Sequence, residues 1–574
     1  MVVMSRLKFN RFVLLSVSFA LSACTIWSGE LGTSYQNRAD TEGSYLESSV
    51  PVPRATSNWV ADKATFVGLA FSGGGSRAAN FGMAVLSELD AQGILPHVDA
   101  VSAVSGGSIP AAWFALRGGE PGWLTEGRIV AQQNFLNAFL FKMIAPNNIV
   151  MTTLTDKDRT DLLAEVFRDK VMGGKNITFG ELGPRKAMKP AVYFNATDTT
   201  NGGERFVFTE DQFLRKLGSR LSDFPMSTAM ASSGAFPGIF NSVTLRKFSL
   251  DPEIRKSEEG LVSQRQYVHL IDGGSSDNFG TDTLIDLARQ HHIARLNRKQ
   301  PNNGCMIMVV DSHVPSAAIS DAHQSDRRNV LSMLIDLNFL DAIDALLSNR
   351  RNDTLHALGI RRDQPLARYS LKMADDVIEY NVAPYRRLSE FPITYYEEDG
   401  KAIDVPTFSG QPDSLDIKVA SRAIAKVFMC KLWHIALDDV HSVVPWKADA
   451  QGQLKPASLK ASADDELFAY RVKLARVIKQ VPTNYKLAGP KNCSADFVQQ
   501  ALFDAAHIVV KQDKSAVEAV CQWFKAGLLD TRNQCSVDGN PVFRAAYPIE
   551  PIEKPRDLTA NEQAISRFVQ CQAN

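Results

Sequence analysis

Residues 66–108 read FVGLAFSGGGSRAANFGMAVLSELDAQGILPHVDAVSAVSGGS, and two turns inside this stretch decide the fold. The apolar run Phe66–Phe71 predicts a strand, which breaks at Ser72-Gly73-Gly74-Gly75-Ser76-Arg77. A second apolar run, Val98–Val104, leads into Ser105-Gly106-Gly107-Ser108. Each turn opens a helical pattern. One covers Ala78–Gln92, with Phe81, Val85, Leu86 and Leu89 on one side; the other covers Ser105–Leu116. Further short strands are expected at Ala191–Asn195, Val268–Ile271 and Met306–Val310, with a helix over Leu284–His292. This alternation predicts the α/β class, a sheet with helices on both faces.

The second turn has the makings of a nucleophile elbow. A serine hydroxyl reacts only when its position is fixed and a base takes its proton. A sharp strand-turn-helix lifts Ser105 above the sheet edge, and small neighbours let strand and helix approach. Those neighbours are Ala103, Gly106 and Gly107; alanine stands where the G-x-S-x-G pattern has its first glycine. The Gly106 amide can face a developing oxyanion. In the first turn, Gly73, Gly74 and Gly75 free further amides to face an anion. Neither G-x-x-x-x-G-K-[ST] nor G-x-G-x-x-G is present, which argues against a nucleotide loop. Arg77 has two readings, attraction of a phosphate head group or an ion pair that holds the loop. Asp272, ending the run Val268–Ile271 and followed by Gly273-Gly274, can act as general base if burial raises its pKa.

Taken in order, SGGGSRA, AVSGGS and IDGGSSDNFG resemble the patatin-like phospholipase family, acyl hydrolases with a Ser-Asp dyad. Tyr193–Asp198 with Gly203–Phe208, and Ala231–Pro237, resemble two further family segments. The resemblance runs from about Thr65 to Asp311. It implies a three-layer α/β/α sheet, with Ser105 as nucleophile, Asp272 as base, and Gly73, Gly74 and Gly75 lining the oxyanion hole. It also implies a phospholipid or other acyl-lipid substrate and no cofactor or metal. The family loop often has Asp where Ser72 stands. Asn195, Asp198, Phe236 and Pro237 are expected to be structural or to line the pocket.

The 574 residues carry 63 basic and 63 acidic side chains, so global charge gives no hold on nucleic acid. At the N-terminus, Arg6, Lys8 and Arg11 precede the short apolar run Phe12–Ala20 and then Leu21-Ser22-Ala23-Cys24. This order resembles the lipobox of bacterial lipoproteins. It implies a signal over 1–23, acylation of Cys24, and anchoring in the cell envelope. Thr25 in place of Asp then points to the outer membrane, with the protein facing the periplasm. Residues 24–63 read as a flexible tether, 64–481 as the catalytic domain with a helical extension, and 482–574 as a cysteine-containing accessory region.

Cys493, Cys521, Cys535 and Cys571 crowd the C-terminal part, and bridges among them are expected in an oxidising compartment; Cys305 reads as a buried free thiol. Val419–Leu437 reads as a helix. Asn329–Asn349 and Phe135–Ile144 are amphipathic and fit either a core-covering helix or a lid or membrane-facing one.

Two alternatives remain at this level. One is a Ser-His-Asp esterase using His313, with His291 and His292 on the surface of a helix. The other is an inactive lipid- or partner-binding lipoprotein on the same scaffold.

Overall fold

The computed structural model describes residues 37–38, 63–183, 188–248, 267–314, 350–360, 367–373, 376–382, 388–404, 423–440, 446–448, 454–456, 474, 477–478, 480–489, 493–511 and 520–523. The signal segment, Cys24, most of the tether, the pattern at Asn329–Asn349, Cys535 and Cys571 lie outside them.

All six residues of β1 (Phe66–Phe71) are buried, and they supply both faces of the sheet. Val67, Leu69 and Phe71 join one core cluster, while Phe66 and Ala70 join another. This split is the period-2 alternation of a strand covered on both sides. On the first side lie α1 (Gly75–Ala91) and α2 (Ser108–Arg117). The face α1 buries includes Phe81, Val85, Leu86 and Leu89. Each such side chain stabilises the fold by roughly 1.5–3 kcal/mol when fully buried.

Between α2 and β3 run α3 (Trp123–Gln132), α4 (Phe135–Ile144), α5 (Pro146–Leu154) and α6 (Arg159–Val171). After β3 (Ala191–Asp198) and β4 (Glu204–Val207) come α7 (Met226–Ser233), β5 (Val243–Arg246) and β6 (Tyr267–Asp272). Next, α8 (Thr281–Asn297) covers the second face, and β7 (Cys305–Asp311) returns beside β1. Two-stranded ribbons form from β8 (Ala367–Met373) with β9 (Asp376–Val382), and from β13 (Trp446–Ala448) with β14 (Leu454–Pro456). Strands β10 (Leu388–Glu398), β11 (Lys401–Ile403) and β12 (Ile424–Ala436) complete the main sheet, and α9 covers Ala495–Lys511.

The main sheet has ten strands in the order β11-β10-β12-β7-β1-β2-β3-β6-β5, with β4 on β3. Its middle, β12-β7-β1-β2-β3, is parallel. The flanking strands are antiparallel. The architecture is the α/β/α sandwich expected, on a mixed sheet.

Three expectations are corrected. Of the helix expected over Val419–Leu437, the stretch Ile424–Ala436 is instead strand β12, antiparallel to β10 and parallel to β7. A short apolar run does not tell strand from helix by periodicity, and here a slot between two strands decides it. Cys305 is no free thiol. It faces Cys430 across the β7–β12 register and is disulfide-bonded to it, with Cα atoms 4.9 Å apart. Cys493 and Cys521 are disulfide-bonded as well.

Finally, a boundary at 481/482 does not divide the core. Val498, Ala501, Leu502 and Ala505 of α9 belong to the same cluster as β1 and α1. Gln499 donates to the buried Asn80 side chain of α1 at 2.7 Å, so this helix is an integral wall of the core beside the main sheet.

Candidate active site

Ser105 stands where β2 ends and a 3-10 turn leads into α2. Its φ is +51°, a left-handed conformation that a non-glycine residue adopts at a cost. Its amide donates to Ser233 Oγ at 2.9 Å, which pins the turn to the end of α7. A Cβ on Gly106 would lie 2.1 Å from the Gly75 carbonyl oxygen, so only glycine lets the two turns stack. The stacking brings the Gly73 backbone to Ser105 as well; a Cβ there would lie 3.5 Å from Ser105 Cβ.

The amides of the first turn divide their tasks. Ser72 N–H donates to Val310 O at 3.0 Å, Gly73 N–H to Asn278 O at 3.1 Å, and Ser76 N–H to Asn484 O at 2.8 Å. Gly74 and Gly75 are the N-cap and first residue of α1, where amides have no intrahelical acceptor. Gly106 packs against Gly75 across the two turns. Gly73 lines the loop but spends its amide on Asn278.

Asp272 ends β6, as expected, and is buried. Its amide donates to Ala235 O at 2.9 Å, and its Oδ1 accepts the Gly274 amide at 2.8 Å. Burial raises its pKa to about 6; the Gly274 amide and the adjacent Ser105 hydroxyl pull the other way. Ser105 and Asp272 thus meet at one end of the sheet, although they stand 167 positions and several elements apart in the chain.

Asn195 and Thr197 of β3 serve the frame. Asn195 Nδ2 donates to Ser102 Oγ at 2.8 Å and Ala103 O at 3.0 Å, and its Oδ1 accepts from Thr283 at 2.6 Å. Thr197 Oγ1 donates to the Asp272 carbonyl at 2.9 Å. Asp198 accepts from the amide of Thr200 in the following turn.

Arg77 is buried and donates to the Val481 carbonyl at 3.2 Å. That places it under a strap formed by Val481–Leu487, which crosses the glycine turn; a Cβ on Gly75 would meet Thr483 O at 1.8 Å. Sequence reasoning did not single out this strap, Ser233 or Asn278. The strap lies far from every motif, whereas Asn278 sits inside IDGGSSDNFG.

His313 is pushed down to about 4 by burial and the nearby Arg351 charge, and its amide donates to Asp311 at 2.9 Å. Contrary to the surface reading, His291 is buried and bonded to Lys63 O at 2.7 Å, because α8 turns it under the chain entering β1. Among the described residues, the hydrogen bonds that act on the Asp272 carboxyl come from Gly274 and Ser105, and neither is a histidine.

Residues 69–285 match the family model for the patatin-like phospholipase. This stretch is a patatin-like phospholipase domain. It contains both turns and Asp272, while the strap and α9 lie beyond it. The match associates the patatin-like domain with lipid hydrolysis in general.

Among solved structures, human GIVD cytosolic phospholipase A2 is similar at 12% identity and a TM-score of 0.42, over 86% of this chain and 68% of its own. VipD from Legionella pneumophila is similar at 11% identity and a TM-score of 0.22, over 85% of this chain and 92% of its own. The complex of SpcU with ExoU from Pseudomonas aeruginosa gives 20% identity and a TM-score of 0.18, over 30% and 38%. No curated protein matches the chain by sequence.

Proposed function

We propose that the protein is a serine acyl hydrolase that cleaves carboxylic esters of phospholipids or related acyl lipids. The observation that carries this reading is Ser105 at positive φ beside a buried Asp272 whose pKa, about 6, suits a base at neutral pH. Asp272 takes the hydroxyl proton as Ser105 Oγ bonds to the ester carbon. Negative charge gathers on the former carbonyl oxygen, where the Gly74, Gly75 and Gly106 amides receive it. As that charge returns, the bond to the leaving alcohol breaks and Asp272 hands its proton to the alcohol oxygen. Water then attacks the acyl-serine by the same route, with Asp272 again as base, and frees the fatty acid.

The surface supports a substrate in a lipid phase. Helix α4 buries Phe135 and Phe139 yet leaves Phe141 and Ile144 69% and 68% exposed. The next helix, α5, exposes Ile149, Val150, Met151 and Leu154. Apolar patches of this kind mark interaction sites on soluble domains. No helix among the described residues is long and apolar enough to cross a membrane. The acylated Cys24 suggested by the sequence would hold the enzyme at the outer membrane, facing the periplasm.

The test is fluorophosphonate labelling of the purified full chain together with lipid profiling of cells. Labelling at Ser105, its loss in Ser105→Ala, and accumulation of an acyl lipid in the Ser105→Ala strain are expected. An unlabelled wild type with an unchanged lipid profile overturns the reading.

A further inference from the structure

The strap brings one side chain into the site that neither the motifs nor the family match contain. Tyr485 is buried, and its ring packs edge-on against Phe167 at 5.6 Å and Phe240 at 6.5 Å. Its main chain is held too: the Tyr485 carbonyl accepts the Leu136 amide at 3.0 Å, and the preceding Asn484 carbonyl accepts from Ser76. These contacts aim the phenol inward. A Cβ on Gly234 would lie 2.1 Å from Tyr485 Oη, which puts the hydroxyl over the segment that carries Ser233 and Ala235. Those two residues hold the Ser105 and Asp272 amides.

Tyr485 Oη is buried and makes no well-formed hydrogen bond among the described residues. It lies beside the Ser105 hydroxyl, the neighbour within its reach, and near enough to feel the Asp272 charge. Burial and the Asp272 charge raise its pKa, with Ser105 acting in the opposite sense, so the phenol keeps its proton at neutral pH and remains a donor. A buried donor left unpaired is costly, and such groups call for an explanation in what arrives at the site.

Chemistry says what arrives. With one carboxyl serving as base and then acid, the oxygen of the departing alcohol must come next to Asp272. The glycine amides occupy the oxyanion side, on the stacked turns. Tyr485 is beside the pair that handles the leaving group.

We infer that Tyr485 is a catalytic residue whose O–H donates a hydrogen bond to the alcohol oxygen of the substrate ester as its bond to the acyl carbon breaks. The phenol retains its proton throughout; the proton that the alcohol gains comes from Asp272. This inference rests on the acyl-hydrolase reading above. It assigns the strap a part in turnover and predicts that the enzyme favours esters of poor leaving groups more than the dyad alone would.

Tyr485→Phe in the full chain keeps the ring and removes the O–H. Hydrolysis of an octanoyl glycerol ester, whose alcohol leaves poorly, is compared with that of p-nitrophenyl octanoate, whose alcohol needs no such help. The ratio of the two kcat/KM values should drop about tenfold or more, with the change in kcat and not in KM. Fluorophosphonate labelling of Ser105 should persist, because it tests the nucleophile alone. An unchanged ratio, whether both rates hold or both fall together, overturns the role of Tyr485 while leaving the hydrolase reading in place. A wild type that hydrolyses neither ester and resists labelling overturns both. Should Tyr485→Phe not fold, Gly234→Ala makes the same comparison by pushing the hydroxyl aside, and the same drop in ratio is expected.

Discussion

The Ser105 amide donates to Ser233 Oγ across 2.9 Å, so the elbow is held by a side chain from α7 and not by its own turn alone. The bond is buried, and it sustains a backbone at φ +51°. Ser233→Ala should therefore relax the elbow. Stability should fall by about 1 kcal/mol, the usual worth of a buried hydrogen bond, and kcat should fall more than KM changes. A thermal melt and steady-state kinetics read both; a variant with wild-type kcat would show that the turn keeps its shape unaided.

Asp272 makes activity and stability move in opposite senses with pH. As base it must be ionised, so kcat/KM should fall about tenfold per unit as pH drops below about 6. Its pKa is raised above the ordinary 3.8 by burial, so the folded state binds this proton more tightly than the unfolded state. The stabilisation is therefore present below about pH 4 and is lost as pH rises through 6. At neutral pH the ionised carboxylate costs up to about 3 kcal/mol. Asp272→Asn should abolish turnover yet raise the melting temperature at pH 7.5; a lower melting temperature would contradict the burial argument.

The Cys305–Cys430 bridge closes a sequence separation of 125 residues across the β7–β12 pair. Replacing both cysteines with serine should cost about 2–4 kcal/mol of stability, measured by denaturant titration. Non-reducing peptide mapping should recover the linked pair. Free thiols at both positions in the native protein would refute the pairing.

The exposed faces of α4 and α5 give a prediction that separates interface from chemistry. Phe141→Asp with Ile144→Asp should weaken binding to phospholipid vesicles and hydrolysis there by about tenfold or more, given the apolar area removed. Hydrolysis of a water-soluble p-nitrophenyl ester should change little. Equal loss on both substrates would mean that the helix supports the fold and not the lipid contact.

What could be read from the sequence was local. Both glycine turns, the strands that feed them and the placement of Asp272 at a strand end follow from short-range chemistry: apolar runs, then glycine, then a helical stripe. The motif order also brought Ser105 and Asp272 under suspicion together. What escaped depended on partners distant in the chain. Ile424–Ala436 became a strand because β7 and β10 leave a slot for it. Cys305 found Cys430 only through that same register. The α9 stripe is a helical pattern either way, and only packing on α1 reveals that it belongs to the main core. Nothing near Tyr485 in the sequence marks it, because its neighbours in space are Gly234, Phe167 and Phe240.

The strap also sets an order of events during translation. Arg77 and the Val481 carbonyl that it holds are 404 positions apart. At about 10 residues per second, the ribosome needs on the order of 40 seconds to travel between them. A nascent chain therefore displays its serine and its acid long before Asn484 can settle on Ser76. Polypeptides released by a premature stop in that interval would carry both groups without their cover, and the reactive centre is finished only after residue 485 has emerged.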